Sequence, residues 1–317
     1  MTVQVSHVKI KQPLLKKQWV LWGLILLVTF IWGYAWVIMK AALKYIGPFT
    51  FSSLRFITGT ITMLIIVVIL RLGMPPRRYW KHLALIGFLQ TAVMFLFVMF
   101  ALRFVDAGKS SVLLYSMPIW SSLLAAKFLN EKLTGVKITG LLLGITGLLV
   151  IVGTDLIRLK TPGVILGETL IITAAIAWGI SNVYYRKFVN ELPRVQVSAF
   201  QMLFGTIVIL LTALIMEWGK PVVWNAESIY YILFTGILAS AFCFTLWFKV
   251  IGEIDMATAT ISSMLVPVFG LALSQFILGE KMTTSVLIGS ALIIFGIVIA
   301  VMKTSPVQKK ARIDREP

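Results

Sequence analysis

The side chains able to do chemistry are few in this chain, and their types do not converge on a reaction. There are two histidines, His7 and His82, far apart and both in polar flanks, and one cysteine, Cys243, inside an apolar run. That count argues against a His/Cys metal site and rules out an intrachain disulfide. A lone core thiol is ordinarily inert. The few acidic residues lie mostly at the ends of apolar stretches, and no phosphate-binding loop, Ser-His-Asp set or metal-ligand spacing is present. The expected activity is not enzymatic, with no cofactor and no metal.

Chemistry of another kind arises where polar groups interrupt apolar stretches. Arg55 is one such group. A charged side chain at a membrane-helix centre costs about 2.5–3.5 kcal/mol on insertion scales, so it is expected to face the protein interior or water. It can anchor a substrate carboxylate or phosphate. Equally, it can be a structural arginine bonded to backbone carbonyls, or one that snorkels outward. Glu168, the one acidic residue clearly inside an apolar run, is the candidate for proton coupling; the alternative is a carboxylate stabilised near a helix N-terminus.

The amides Gln90, Asn182, Gln201 and Gln275 can contact a solute or tie helices together. Tyr34, Trp36, Tyr115, Trp120, Trp178 and Trp247 can line a pocket or form an interfacial belt. Pro118 and Pro267 each remove a backbone hydrogen bond and are expected to kink a helix in mid-span, which points to a conformational role. Gly140, Gly144 and Gly147 offer a small-residue face for helix contact. Met94 and Met99 read as adaptable core filler.

The elements that must position these groups follow from composition. The chain has 317 residues, 59% hydrophobic and 13% charged, with a mean hydropathy of +0.95. A soluble domain averages roughly 45–50% apolar and about 25% charged, so most of this chain belongs in lipid. The net charge of +17 comes from basic clusters between apolar runs. That is a membrane-topology pattern, not the footprint of a nucleic-acid-binding face.

A crossing helix needs about 20 mainly apolar residues. Ten spans are expected, near 19–39, 48–70, 83–102, 110–129 and 136–153, then 163–184, 195–216, 229–248, 256–278 and 284–302. This makes an all-α integral membrane protein with a basic arm (1–18), a five-helix half (19–153), a polar linker (154–162), a second half (163–302) and a polar tail (303–317). The apolar run after the arm lacks a small-residue cleavage pattern and reads as a span that stays. Alternate sides carry 20 and 8 Lys and Arg residues, Arg55 completing the 29. The richer side is expected to be cytoplasmic and to hold both termini, in a multi-pass protein of the cell membrane.

The halves repeat. Asp106, Pro118, Leu129, Glu131-Lys132, Thr134 and Gly140 match Asp255, Pro267, Leu278, Glu280-Lys281, Thr283 and Gly289 at one offset of 149 residues; Trp32-Gly33 matches Trp178-Gly179 at 146. With five spans per half, the second half enters the membrane upside down. Inverted halves give two related conformations, one opening to each side, around a midplane solute site.

The Trp-Gly pairs, Leu54-Arg55-Phe56, and the stretches Pro118 … Leu129-Asn130-Glu131-Lys132-Leu133 and Pro267 … Leu278-Gly279-Glu280-Lys281-Met282 together resemble the EamA-type carriers of the drug/metabolite transporter superfamily. The resemblance covers residues 19–302. It implies a ten-helix, two-repeat carrier with a central cavity and peripheral spans 5 and 10; it implies no particular substrate. One departure is that Gln201 stands where the first half has Arg55.

The expected function is secondary transport of a small metabolite, such as an amino acid or a related compound, in the direction of export. The alternative is a polyspecific exporter of amphipathic drugs. Candidate substrate-binding residues are Tyr34, Arg55, Gln90, Tyr115, Trp178, Asn182, Gln201 and Trp247, with Glu168 for proton coupling and Gly33, Gly179, Pro118 and Pro267 for conformational change. The expected partners are a small-molecule solute and the lipid bilayer, with no nucleic acid; a homodimer is an allowed assembly.

Overall fold

The computed structural model describes residues 18–302 apart from 132, 158–160 and 255. Most of the basic arm, the polar tail, Lys132, Arg158, Lys160 and Asp255 lie outside the described residues. Among the described residues all regular structure is helical, as lipid demands of segments that must satisfy their own backbone groups.

The elements are α1 (Gln18–Ala42), α2 (Pro48–Ile69), α3 (Arg77–Ala101), α4 (Ala107–Leu114), α5 (Met117–Phe128), α6 (Gly135–Ile157), α7 (Pro162–Phe188), α8 (Arg194–Met216), α9 (Ala226–Val250), α10 (Met256–Ser263), α11 (Leu265–Leu278) and α12 (Thr284–Met302). Pro48 and Pro162 start α2 and α7. Asn225 and Ser228 close a reciprocal capping box at the start of α9.

Among the described residues, nine helical stretches are long and apolar enough to cross a membrane, one of them Ile261–Leu278, which runs from the end of α10 through α11. The missing one is the single span expected at 110–129. It is divided between α4 and α5, of 8 and 12 residues, and neither crosses alone. The expected mid-span kink at Pro118 is corrected accordingly. The chain has already left the helix at Tyr115–Ser116, and Pro118 occupies the first turn of α5, where a missing N–H costs nothing. Pro267 likewise lies in the first turn of α11, just after Met264.

The two halves share local detail. A π-helical turn interrupts α3 at Gly87–Val93 and α9 at Phe234–Phe242. After α5 and α11 the chain turns left-handed at Asn130 (φ 54°) and Gly279 (φ 69°), each one residue before a glutamate, Glu131 and Glu280. Their amides donate to Ala125 O (3.4 Å) and Ser274 O (3.3 Å).

Helices α6 and α12 lie against each other antiparallel, with glycine facing glycine. A Cβ at Gly147 would stand 2.6 Å from the carbonyl oxygen of Gly289, and one at Gly296 would stand 2.5 Å from that of Gly140. Only small residues allow backbones so close. The bundle's outer surface stays apolar, with Phe276 84% and Ile215 78% exposed. A soluble protein does not keep such surfaces without a partner. On helices of crossing length they face lipid, and the chain is a multi-pass membrane protein.

Candidate functional site

The centre of the bundle is built by α2 and α8, which cross antiparallel. Thr60 and Thr206 share a hydrogen bond of 2.8 Å between their hydroxyls, and Ser53 Oγ donates to Ile209 O at 3.3 Å. Each of these helices is clasped by the π turn of a helix from the other half. A Cβ at Gly59 would be 2.9 Å from Gly236 O, and one at Gly205 would be 2.6 Å from Gly87 O. A Cβ at Gly236 would stand 2.6 Å from Arg55 O, and Gly87 meets Gln201 O in the same way. The two π turns therefore press on Arg55 and Gln201.

Arg55 is 5% exposed. Its Nη1 donates to Met39 Sδ (2.8 Å), its Nη2 reaches Ser240 Oγ (3.4 Å), and its buried Nε has no partner. The guanidinium carbon lies 4.5 Å from the centre of the Phe95 ring and 5.1 Å from that of Phe56. The expected backbone-carbonyl partners of a structural arginine are absent from this set. Gln201 differs: its Oε1 accepts a 2.8 Å hydrogen bond from Thr91 Oγ1. Thr91 and Ser240 are repeat mates, 149 residues apart.

The remaining candidates fall into two lobes around this centre. In one, Tyr115 meets Trp178 edge-on (6.2 Å between ring centres), Gln90 Oε1 accepts from Ser181 Oγ (3.0 Å), and Asn182 Nδ2 donates to Met117 Sδ (3.0 Å). In the other, Tyr34 meets Phe234 edge-on (5.3 Å), and Trp247 meets Trp32 (5.5 Å). Trp32 Nε1 also donates to Ala239 O within a π turn (2.8 Å). Gly33 and Gly179 sit where the helix after each proline crosses from the other half. A Cβ at Gly33 would be 2.5 Å from Phe269 Cβ, and one at Gly179 would be 3.1 Å from Trp120 Cβ.

Glu168 is not brought to the centre. It lies near the start of α7, 0% exposed, in an ion cluster with two residues outside the candidate set. Lys109 of α4 pairs with Asp155 of α6 at 2.5 Å and with Glu168, whose Oε2 is buried without a hydrogen bond. At the same end, Glu280 accepts from the amides of Ala107 (2.7 Å) and Gly108 (3.1 Å), holding the N-terminus of α4 as an anion does. Lys40 Nζ donates to Leu102 O (2.5 Å) and Val105 O (2.8 Å). A cleft of about 730 Å³ opens here, lined in part by Lys40, Lys44, Arg103, Asp106, Glu280 and Lys281. In the α1–α2 connection Tyr45 donates to Glu227, and that bond raises its phenol above the usual range. At the opposite end Glu131 pairs with Arg186 and with Lys137 at 3.8 Å.

Sequence reasoning missed Met39, Phe95, Ser240, Lys109 and Asp155. Ser240 was within reach of the 149-residue offset once Gln201 and Thr91 were paired. The two charged residues look like connection charges, and no local pattern marks them as buried.

The EamA-like transporter family model matches residues 17–153 and again 165–302. Among similar proteins is the uncharacterized transporter YoaV of Bacillus subtilis, 32% identical over 86% of this chain and 94% of its own. Others are a probable amino-acid metabolite efflux pump of Salmonella typhimurium, 27% identical over 88% and 93%, and a probable terminal-alkyne amino-acid exporter of Streptantibioticus cattleyicolor, 27% identical over 89% and 93%. A solved crystal structure shares the fold with a TM-score of 0.63 at 19% identity, covering 92% of this chain and all of its own.

Proposed function

The chain belongs to the EamA-like transporter family, and from that premise we propose that it is a secondary carrier moving a small metabolite by alternating access between two inverted halves. In this reading α4 with α5, and α10 with α11, each cross as one broken helix, for ten spans in all. The termini are cytoplasmic and the membrane is that of the cell. The names of two relatives favour export of an amino acid or a related compound.

The observation that carries the reading is reciprocity. Gly140 faces Gly296 while Gly147 faces Gly289, and Gly59 faces Gly236 while Gly205 faces Gly87. Each contact is the repeat mate of another, and the equivalent helices run antiparallel. A two-fold axis in the membrane plane produces that arrangement, and it makes an outward- and an inward-opening state nearly equal in energy.

Two measurements test it. Glu131→Cys and Glu280→Cys, each in a Cys243→Ser background, are expected to react with an impermeant maleimide from opposite sides; reaction from the same side would rule out inversion. Metabolite profiling of overexpressing against deficient cells then selects a solute. Its flux in proteoliposomes is expected to saturate and to show counterflow, and flux without either would indicate a channel.

Glu168 is the proton-coupling position of this reading, supported by two carboxylates around one ammonium and by its unpartnered Oε2. Glu168→Gln is expected to flatten the pH profile of transport. An unaltered profile would remove the role.

A further inference from the structure

We propose that the solute is an organic carboxylate, gripped by Arg55 at the centre of the bundle, and that the rest of it is apolar and carries no second charge. This deepens the carrier reading, relies on it only for the step of movement, and narrows its passenger from an amino acid to a related carboxylate without the ammonium group.

The first ground is an unmatched charge. Arg55 is 5% exposed, and its contacts are a thioether, two aromatic faces and one long bond to a hydroxyl. A buried arginine normally has a carboxylate. The carboxylates described in the bundle are committed elsewhere. Asp155 and Glu168 hold Lys109, Glu217 accepts from Thr50 (2.7 and 2.8 Å), and Glu280 holds the start of α4.

The second ground is the repeat mate. Gln201 occupies the equivalent position under an equivalent π turn, and a neutral bond to Thr91 satisfies it. The same packing is thus built once without a charge, so the scaffold does not require the arginine.

The third ground is which atoms remain open. Nη1 is used by Met39, whereas Nε is unpartnered and Nη2 is held only at 3.4 Å. Nε and Nη2 form one edge of the guanidinium, and that edge presents two parallel donors matched to the two oxygens of a carboxylate. Around it stand Met39, Phe56 and Phe95. They suit an apolar body; the guanidinium already lies over both rings, and its charge repels an ammonium group brought beside it.

Thermal unfolding of the purified full chain tests this at constant ionic strength. The probes are phenylacetate and isovalerate, their amides, and phenylalanine. Both carboxylates are expected to raise Tm saturably, the amides to leave it unchanged, and phenylalanine to act more weakly than phenylacetate. Arg55→Gln is expected to abolish the carboxylate shift, and Arg55→Lys to weaken apparent affinity at least about tenfold, since a point charge lacks the paired donors. The proposal is overturned by wild-type protein that responds to neither acid, by equal shifts from acid and amide, or by a shift that survives in Arg55→Gln. A larger shift from phenylalanine overturns the single-charge part. If Arg55→Gln fails to fold, the contrast between acid and amide on wild-type protein still decides. Carboxylate binding without saturable flux would break the carrier reading alone, whereas saturable flux of a neutral solute without carboxylate binding would break only this proposal.

Discussion

Lys109 and Arg55 are both buried cations among membrane helices, under opposite conditions. Lys109 joins α4, α6 and α7 through two carboxylates, so the chain supplies two acidic partners for one ammonium. Arg55 joins α1, α2, α3 and α9 through sulfur, a hydroxyl and aromatic faces, with no carboxylate in its set. Burying an ion is costly unless partners repay the lost hydration. Where the chain itself repays it, the charge serves architecture. Where the chain leaves it outstanding, the position is open to a ligand.

That contrast can be broken or sharpened by stability measurements in detergent, in falling order of effect. Lys109→Met strands two buried carboxylates, and a loss of about 3–5 kcal/mol is expected from denaturant unfolding. Adding Asp155→Asn and Glu168→Gln should recover most of it, and no recovery would mean that packing matters more than charge. Gly147→Leu forces α6 from α12 at a contact that tolerates no Cβ, with an expected loss of about 1–3 kcal/mol; wild-type stability there would dispute the glycine-to-glycine approach. Thr60→Val removes the hydroxyl bond between α2 and α8 and leaves Thr206 its bond to Met202 O at 2.7 Å, so a loss of about 0.5–1.5 kcal/mol is expected. Arg55→Gln copies the residue already tolerated at 201, and its Tm without ligand should stay close to wild type. A collapse there, comparable to Lys109→Met, would place Arg55 with the architecture.

Much of the fold was legible because lipid imposes a simple rule on sequence. Helix-length apolar runs, separated by basic and glycine-containing breaks, placed nine crossing helices with ends that differ by up to six residues. The stretch 107–128 escaped the rule. Its composition is that of a span, but Tyr115 and Ser116 leave the helix before Pro118 begins a new one, and hydropathy cannot register a change in backbone direction. Arg55, Gln201 and Glu168 stood out as polar residues in apolar runs. Lys109 and Asp155 did not, because they lie near helix ends where charge is ordinary.

The sequence by itself determined that the chain is a helical membrane protein, that it is written twice, and which few polar residues must be kept from lipid, because each follows from composition or register along one dimension. Tertiary structure decided the partners. Only the antiparallel crossing of α2 and α8 under two π turns shows Gln201 satisfied by Thr91 while Arg55 keeps an open edge. Only the approach of α4, α6 and α7 turns Lys109, Asp155 and Glu168 into one ion cluster. The physical reason is that electrostatic balance is a property of distances in space, and residues 46 and 59 positions from Lys109 carry no local sign that they will meet it.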